Sequence, residues 1–279
     1  MAELSSISPL LTRFVGHDYR YVEATGSTND DLRRLLESEL LPDGMVLLTN
    51  HQTAGKGRLR RQWVAAPDSS LLFSLLLRPN WAAERAGWVT MLAATAVFEA
   101  ITAVTKLRVA IKWPNDVMIF HDGEWRKAGG LLLEGGTENG RLQHTIIGIG
   151  LNVNMTIAQL PEAVTPPTSL SLAGKRPFSR KPLLTTILTK LETAYEAANA
   201  GQSPQPAWQN LLITMGQPVT ATFADGKKIS GTAENTDEYG RLLLRDTTGT
   251  LHPIAAADVT LRVATDSGAN LPLVTRPLA

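Results

Sequence analysis

The strongest constraint on the fold is a series of four short apolar segments in the middle of the chain, separated only by turn-forming residues. The segments cover residues 109–112, 117–120, 128–134 and 142–151. Two of the connections contain the turn pairs Asp122-Gly123 and Asn139-Gly140. Connections this short join antiparallel strands, because a parallel crossover needs about a dozen residues or more. The sequence therefore predicts an antiparallel meander of four strands.

Other periodic segments predict further strands and amphipathic helices around this meander. Strands are expected at 20–24, 45–50 and 71–77, and helices around 32–36, at 83–106 and at 183–200. From 217 to 263, short β-rich segments predict a small closed barrel of about five strands. We expect an α+β fold in which a mixed, mainly antiparallel sheet carries helices on one side. The predicted domains are 1–213 and 214–265, followed by a tail at 266–279.

The composition excludes several classes of function. A formal net charge of +1 over 279 residues gives no support for binding to nucleic acid or to a membrane surface. The chain has no cysteine, which excludes disulfides, thiolate metal ligands and a cysteine nucleophile. The N-terminus does not have the pattern of a secretion signal, and the apolar segment 71–77 is too short to span a bilayer. We therefore expect a soluble, cytoplasmic protein.

Positive charge is concentrated in one loop, where residues 51–63 read HQTAGKGRLRRQW. Its cations are Lys56, Arg58, Arg60 and Arg61. Gly55 and Gly57 let the backbone approach a ligand closely, so the loop could surround a phosphate or a carboxylate. The spacing is not that of a Walker A loop. Trp63 could lie beside a nucleotide base. A solvated basic loop followed by a core tryptophan remains the alternative.

The segment IKWPND at 111–116 places polar residues at a break in a strand. Pro114 cannot donate to a strand ladder and restricts the residue before it, so the strand must be interrupted there. Lys112, Asn115 and Asp116 are then fixed at a rigid position. They meet either a ligand or one another, the second alternative being an ion pair between Lys112 and Asp116.

Two further segments place polar residues and glycines at the ends of strands. In KAGG, at 127–130, Gly129 and Gly130 leave an open backbone beside Lys127, along which an elongated ligand could lie. Alternatively, the lysine is a surface charge and the glycines relieve crowding. In GIGLNVN, at 148–154, alternation places Asn152 and Asn154 on one face. These asparagines either cap the strand end or bind the edge of a purine.

Together these motifs resemble those of the biotin protein ligases. The motifs are STN at 27–29, QTAGKGR at 52–58, KWPND at 112–116, KAGG at 127–130 and GIGLNVN at 148–154. The resemblance covers about residues 20–263 and implies a class II synthetase-like biotin/lipoate ligase fold with an SH3-like C-terminal barrel. Enzymes of this family activate biotin with MgATP to biotinyl-5′-adenylate. They then pass the biotinyl group to one lysine of a carrier domain.

The resemblance also implies substrates and partners. The substrates would be biotin and ATP with Mg²⁺, and the partner would be the biotin carboxyl carrier protein of acetyl-CoA carboxylase. Residues 1–213 would form the catalytic domain, and a homodimer is expected. About 20 residues precede the first predicted strand, too few for the winged helix-turn-helix of some family members. We therefore expect no binding to nucleic acid.

The resemblance assigns roles to individual residues. The catalytic residues would be Arg58, Lys112, Asp116 and Lys127. The biotin-binding residues would be Ser27, Thr28, Asn29, Gln52, Gly55, Lys56, Lys127 and Gly130. The nucleotide-binding residues would be Arg58, Arg60, Arg61, Trp63, Asn115 and Asn152, and Asp116 would hold Mg²⁺. In this scheme Arg58 stabilises charge on the phosphates, and Lys127 contacts the biotin carboxylate and the α-phosphate.

One departure from the family pattern concerns the basic loop. The usual loop reads GRGRRG, whereas residues 55–60 read GKGRLR. Lys56 keeps the positive charge but lacks the bidentate fork of an arginine. Two other functions stay open, a lipoate or octanoate protein ligase of similar fold and chemistry, and a biotin-binding regulator without catalytic activity.

Overall fold

A seven-stranded sheet forms the centre of the larger domain. The computed structural model describes residues 3–223, 225–255 and 258–261, and of Arg60 and residues 258–261 it describes the backbone alone. The strands are β1 (Tyr19–Thr25), β2 (Val46–Gln52), β3 (Ser70–Leu77), β4 (Val109–Lys112), β5 (Asp116–His121), β6 (Glu124–Glu138) and β7 (Arg141–Asn152). Their order is β1-β2-β3-β7-β6-β5-β4, and of these neighbours only β1 and β2 are parallel. The predicted mixed sheet and its antiparallel meander are confirmed.

Helices cover both faces of this sheet. They are α1 (Thr28–Ser38), α2 (Ala86–Thr105), α3 (Leu170–Gly174), α4 (Arg180–Asn199) and α5 (Gln205–Gln209). The helices α2 and α4 pack against each other and form the main core with sheet residues such as Phe73 and Ile149. The helix α1 lies on the opposite face, where Leu32 packs with Leu76 and Ile146. The prediction of helices on one side is wrong, because β3 and β7 carry apolar residues on both faces.

The helix α2 belongs to the main core. With the turn before it, α2 forms a 23-residue stretch, Ala83–Thr105, which among the described residues is the one helix long and apolar enough to cross a membrane. However, its residues Val89, Ala93 and Val97 are fully buried among the side chains of the main core. A helix that packs in the centre of a large core has this composition. The predicted packing of this helix on the sheet is therefore confirmed.

A second sheet of five antiparallel strands follows α5. Its strands are β8 (Pro218–Thr222), β9 (Lys228–Thr236), β10 (Leu242–Arg245), β11 (Leu251–Ile254) and β12 (Asp258–Leu261), in the order β11-β10-β9-β8-β12. Trp113 Nε1 donates to Gly240 O at 2.9 Å, which ties this sheet to the larger domain. The predicted small C-terminal β domain is confirmed. The boundary between 213 and 214 stays a prediction, and the predicted tail at 266–279 lies outside the described residues.

The segment before β1 is fastened to α4 by one buried carboxylate. Glu192 accepts hydrogen bonds from the backbone N–H groups of Arg13, Phe14 and Val15 at 2.7, 2.9 and 2.9 Å. Burial raises the pKa of Glu192, but the three backbone donors outweigh burial and lower the pKa below its ordinary value. A charged carboxylate therefore orders a segment that forms no helix or strand at these residues.

Candidate active site

A row of five register partners crosses the main sheet, and all of them except Leu72 line the floor of a cavity. From β3 to β4 the partners are Leu72, Gly150, Gly130, Asp116 and Lys112. The two glycines leave the middle of the row open, and the indole of Trp63 lies over it. A Cβ added at Gly150 would lie 2.6 Å from Trp63, and one added at Gly130 would lie 3.4 Å from it. The cavity has a volume of about 680 Å³.

A β-bulge brings Lys127 onto the face of the sheet that carries this cavity. In register, Asp116, Val117 and Met118 of β5 pair with Gly130, Gly129 and Lys127 of β6. Ala128 is thus an extra residue on β6, and the extra residue turns Lys127 away from the core. Lys127 Nζ lies 2.5 Å from Asp116 Oδ1 and 5.8 Å from the centre of the Trp63 ring.

Arg58 enters the cavity from the basic loop and is held there by Asn115. Arg58 Nη1 donates to Asn115 Oδ1 at 3.2 Å, and Asn115 Nδ2 donates to Leu131 O at 2.6 Å. Burial lowers the pKa of Arg58, and the nearby Asp116 carboxylate offsets part of this effect. A cation that has lost much of its water interacts strongly with an incoming anion. Arg58 and Asn115 also line an adjoining cavity of about 630 Å³ beside the C-terminal sheet.

Lys112 is a further cation of the cavity and is 9% exposed. Its Nζ donates to Thr165 Oγ1 at 3.3 Å. Among the described residues Asp116 pairs with Lys127 and not with Lys112, so the simple ion pair considered for the KWPND motif is wrong. Burial lowers the pKa of Lys112, and although Asp116 acts against this, the positive charges of Lys127 and Arg61 lower the pKa further.

Positive charge therefore exceeds negative charge at the centre of the cavity. Arg58, Lys112 and Lys127 lie around the carboxylate of Asp116. This excess suits the binding of anionic groups. In the described part of the chain, no three or more His, Cys, Asp or Glu residues are grouped so as to hold a metal ion. Asp116 could serve a metal ion whose other ligands come from bound phosphates and water, which is the usual arrangement for Mg²⁺.

A polar wall closes the cavity where α1 begins. Thr28 N donates to Gln52 Oε1 at 2.9 Å, and Thr28 Oγ1 lies 3.2 Å from the same oxygen. Ser27 also lines the cavity and is the N-cap residue of α1, although its side chain makes no capping bond. Asn29 reaches the wall, but its Nδ2 donates to Glu134 Oε2 at 2.7 Å behind it. The predicted biotin-binding residues of the STN motif are thus brought together with Gln52.

The basic loop folds into a small hairpin. Two backbone bonds close the loop, from Gly57 N to Arg61 O at 2.8 Å and from Trp63 N to Gly55 O at 2.9 Å. Lys56 lines the cavity, but its Nζ pairs with Asp30 of α1 at 2.5 Å. This lysine therefore fastens the loop to the helix. Arg61 also lines the cavity, whereas the side chain predicted for Arg60 lies outside the described residues.

Two buried polar atoms of the cavity wall have no hydrogen-bond partner in the described part of the chain. They are Trp63 Nε1 and Asn152 Oδ1. Asn152 Nδ2 donates to Thr168 O at 3.1 Å, so its amide is oriented with the oxygen left as an acceptor. Unpaired buried donors and acceptors are costly, and a bound ligand would satisfy both. Asn154 instead bonds the Phe178 backbone at 2.8 and 3.0 Å, which is the structural alternative.

Residues 161–167 form a second wall of the cavity, which was not predicted from the sequence. Lys127 N donates to Pro166 O at 2.8 Å, and Thr168 N donates to Lys127 O at 2.8 Å. The segment thus pairs with β6 beyond the end of β7. Its signal was the adjacent Pro166 and Pro167, which favour extended backbone. Thr222 of the C-terminal sheet also lines the cavity, and no signal in the sequence pointed to it.

The fold and the site define a protein ligase of the biotin and lipoate class. Residues 21–152 match the Biotin/lipoate A/B protein ligase family, and residues 214–262 match the Biotin protein ligase C terminal domain. The bifunctional ligase/repressor BirA of Bacillus spizizenii is 31% identical over 255 residues, which are 90% of this chain and 76% of that protein. The chain belongs to the biotin protein ligase family, and it is a ligase.

Two further comparisons agree with this membership. The biotin-acetyl-CoA-carboxylase ligase of Mycobacterium tuberculosis is 32% identical over 244 residues, which are 85% of this chain and 86% of that protein. The biotin protein ligase of Aquifex aeolicus in complex with biotin and ATP has a TM-score of 0.71 at 25% identity. That match covers 88% of this chain and 99% of the Aquifex chain. The predicted fold class is therefore confirmed.

Proposed function

We propose that this protein activates biotin with MgATP to biotinyl-5′-AMP and transfers the biotinyl group to a lysine of a biotin carboxyl carrier protein domain. One observation carries the proposal. Arg58, Lys112 and Lys127 converge on one cavity, beside a wall of hydrogen-bonding groups and over a floor of glycines. A carboxylate and a phosphate repel each other, and cations that have lost water offset this repulsion most strongly.

In the first step, a carboxylate oxygen of biotin forms a bond to the α-phosphorus of ATP, and the bond to the pyrophosphate oxygen breaks. Lys127 would contact both the carboxylate and the α-phosphate oxygen. Arg58, oriented by Asn115 at 3.2 Å, would offset charge on the departing phosphates. Catalysis then rests on positioning and on charge stabilisation, and no side-chain nucleophile is needed.

Mg²⁺ would enter as part of the MgATP substrate. This ion commonly binds proteins through one or two carboxylates together with substrate phosphates and water. Asp116 is the carboxylate that lies among the three cations and would hold the ion. Because Asp116 Oδ1 is 2.5 Å from Lys127 Nζ, the proposal requires Asp116 to exchange part of this contact for the ion.

The neutral ring of biotin and the adenine of ATP would occupy different walls. Donors and acceptors for the ureido ring would come from Ser27, Thr28 and Gln52, with Gly55, Lys56 and Gly130 completing this part of the site. Trp63 would lie beside the nucleotide, and Asn152 Oδ1 is an acceptor suited to the amino group of adenine. Arg60 and Arg61 stay predicted phosphate contacts.

In the second step, the neutral amine of the carrier lysine attacks the acyl carbon of the adenylate. The bond between that carbon and the phosphate oxygen breaks, AMP leaves, and the amine proton passes to solvent. Exclusion of water from the cavity would protect the anhydride until the lysine arrives. The homodimer, the lack of nucleic-acid binding and the cytoplasmic location stay predictions from the sequence.

The decisive experiment incubates the protein with biotin, MgATP and a biotin carboxyl carrier protein domain. Mass spectrometry of the carrier should show the mass of one biotinyl group, and pyrophosphate exchange into ATP should depend on biotin. Exchange with lipoate and none with biotin would identify a lipoate ligase instead. Biotin binding without release of AMP would identify a regulator and overturn the proposal.

A further inference from the structure

Ser74 lies directly behind the polar wall of the cavity and is fully buried on β3. Its Oγ lies 2.6 Å from Thr28 Oγ1 and 2.6 Å from Asn29 Oδ1. Ser74 is also the polar residue that interrupts the apolar segment 71–77. A hydroxyl in a buried strand must find partners, and this one connects two residues of the STN motif. The connection determines which atoms of the wall carry protons.

The orientation of the Asn29 amide is fixed from the far side of the wall. Asn29 Nδ2 faces Glu134 Oε2 at 2.7 Å and Leu132 O at 3.4 Å. Both partners are acceptors, so the donor end of the amide must point towards them. Arg33 Nη1 lies 3.5 Å from Oε1 of the same carboxylate. Asn29 Oδ1 therefore points towards Ser74 as an acceptor.

The single proton of the Ser74 hydroxyl must then lie between Ser74 and Asn29. Asn29 Oδ1 carries no proton, so at 2.6 Å the proton comes from Ser74. The contact between the two hydroxyls, also 2.6 Å, consequently uses the proton of Thr28, in preference to the longer contact of Thr28 Oγ1 with Gln52 Oε1 at 3.2 Å. Thr28 Oγ1 is left with lone pairs only, and Thr28 lines the cavity. The wall therefore presents an acceptor at Thr28.

Gln52 presents the complementary group next to this acceptor. Its Oε1 accepts from Thr28 N at 2.9 Å, so its Nε2 is the end left to donate. An acceptor and a donor side by side match a ligand that carries N–H beside C=O, as a cyclic urea does.

We propose that Glu134, Asn29 and Ser74 form a polarised hydrogen-bond chain that fixes Thr28 Oγ1 as an acceptor for a ligand N–H group. Ser74 and Glu134 are then positioning residues for substrate recognition, although neither contacts the ligand. The inference rests on the proposed function, in which the ligand is the ureido ring of biotin. The proposed function itself requires only that biotin be bound and activated.

The test compares biotin with its two cyclic carbamate analogues, in each of which one ring N–H is replaced by oxygen. The replacement changes a donor into an acceptor with little change of shape. Opposite an acceptor at Thr28, one of the two analogues should bind the wild-type protein at least about tenfold more weakly than biotin. Dissociation constants are measured by calorimetry on the full chain.

Two variants interrupt the hydrogen-bond chain at different points. Ser74→Ala releases the Thr28 proton, which can then donate to the carbamate oxygen. Glu134→Lys places a donor where Asn29 now finds an acceptor, so the amide should turn and reverse every bond in the chain. The Glu134 side chain is 30% exposed, which allows it to be replaced without disrupting the core. Glu138→Lys, at an exposed position of the same strand, is the control of equal charge change.

The relevant analogue is the carbamate that binds the wild-type protein more weakly. We expect Ser74→Ala and Glu134→Lys to reduce the preference for biotin over this carbamate at least about tenfold. In Glu134→Lys the carbamate should bind more tightly than biotin. Glu138→Lys should keep the wild-type preference. Folded variants of both kinds that retain the wild-type ratio would overturn the proposal. If Ser74→Ala does not fold, as judged by circular dichroism, Glu134→Lys decides alone.

A measurement without ligand separates this inference from the proposed function. The side-chain amide resonance of Asn29 is identified as the one lost in Asn29→Asp, in a ¹H–¹⁵N spectrum. In the wild-type protein its protons should exchange slowly with solvent, and Glu134→Lys should change their shifts and rates. An unchanged resonance in Glu134→Lys would overturn the proposed hydrogen-bond chain, whatever ligand the protein binds. A wild-type protein that shows the protected amide but binds no biotin would overturn the proposed function alone.

Discussion

Lys127 Nζ lies 2.5 Å from Asp116 Oδ1, although these two residues are not register partners across β5 and β6. The contact exists because Ala128 is an extra residue in β6 and rotates Lys127 onto the face that carries Asp116. The ammonium group is consequently held at the floor of the cavity before any substrate binds. Positioning of this kind reduces the reorganisation that the reaction requires.

Lys127→Ala should lower the rate of biotin-dependent pyrophosphate exchange by at least about tenfold, because the charge at the reacting carboxylate is lost. The neighbouring Arg126 pairs with Glu124 at 2.6 Å, so Arg126→Ala is the matched control and should keep the wild-type rate. Equal rates in the two variants would contradict the role assigned to Lys127.

Arg58→Ala should also lower the exchange rate by at least about tenfold, whereas Arg58→Lys should recover part of the loss. Lysine restores the charge but lacks the planar fork that now bonds Asn115 at 3.2 Å. Steady-state kinetics with varied ATP would measure both effects. A wild-type rate in Arg58→Ala would exclude this residue from the reaction.

The activity should fall on the alkaline side as Lys112 loses its proton. Burial lowers the pKa of Lys112, so the loss occurs below the ordinary value of 10.5. Lys112→Arg should move this fall to higher pH in a profile of kcat/KM. Between the lowered pKa and 10.5 the unfolded chain binds more protons, so the contribution of Lys112 to the free energy of unfolding should rise with pH. An alkaline fall at the same pH in Lys112→Arg would assign it to another group.

The basic loop at 55–61 should become more ordered when the adenylate forms above it. Its cations repel one another, and bound phosphate would remove this repulsion. Hydrogen exchange read by mass spectrometry should show slower exchange of these amides with biotin and MgATP than without. The exposed turn at 139–140 serves as the internal reference. Equal protection of the loop in both states would contradict closure.

Glu192→Ala should lower the free energy of unfolding by about 2–3 kcal/mol at neutral pH, because three backbone donors lose their acceptor. Glu196 pairs with Arg13 at the surface, so Glu196→Ala should cost less than about 1 kcal/mol. The folded-state pKa of Glu192 lies below the ordinary 4.5, so its stabilisation is present above 4.5 and is lost as pH falls through the lowered value. Urea denaturation between pH 3 and 7 would measure the difference in free energy of unfolding between the wild-type protein and Glu192→Ala. A difference that does not change with pH would contradict the role assigned to the charged carboxylate.

The parts of the fold that local residue chemistry determines could be predicted. Asp122 and Gly123 have φ values of 51° and 84°, and Asn139 and Gly140 have 50° and 75°, as two-residue hairpin turns require. These turns produce the meander. The cover on the second face of the sheet could not be predicted, because an apolar residue such as Leu76 does not show which helix packs on it.

The motifs predicted the identities of the site residues more completely than the contacts between them. The motifs named Arg58, Lys112 and Lys127, which the fold does bring together. No local pattern showed that Lys56 pairs with Asp30 of α1, or that Thr165 bonds Lys112, since these contacts depend on how distant segments pack.

The bulge in β6 has a consequence for related sequences. Without the bulge, regular alternation from Gly130 back to Lys127 would direct the ammonium group into the hydrophobic interior, although every letter of the motif would be unchanged. The pairing of this strand therefore matters to the site as much as the identity of its residues. A homologue can retain every residue of the motif and still be inert if its strand pairs here without a bulge.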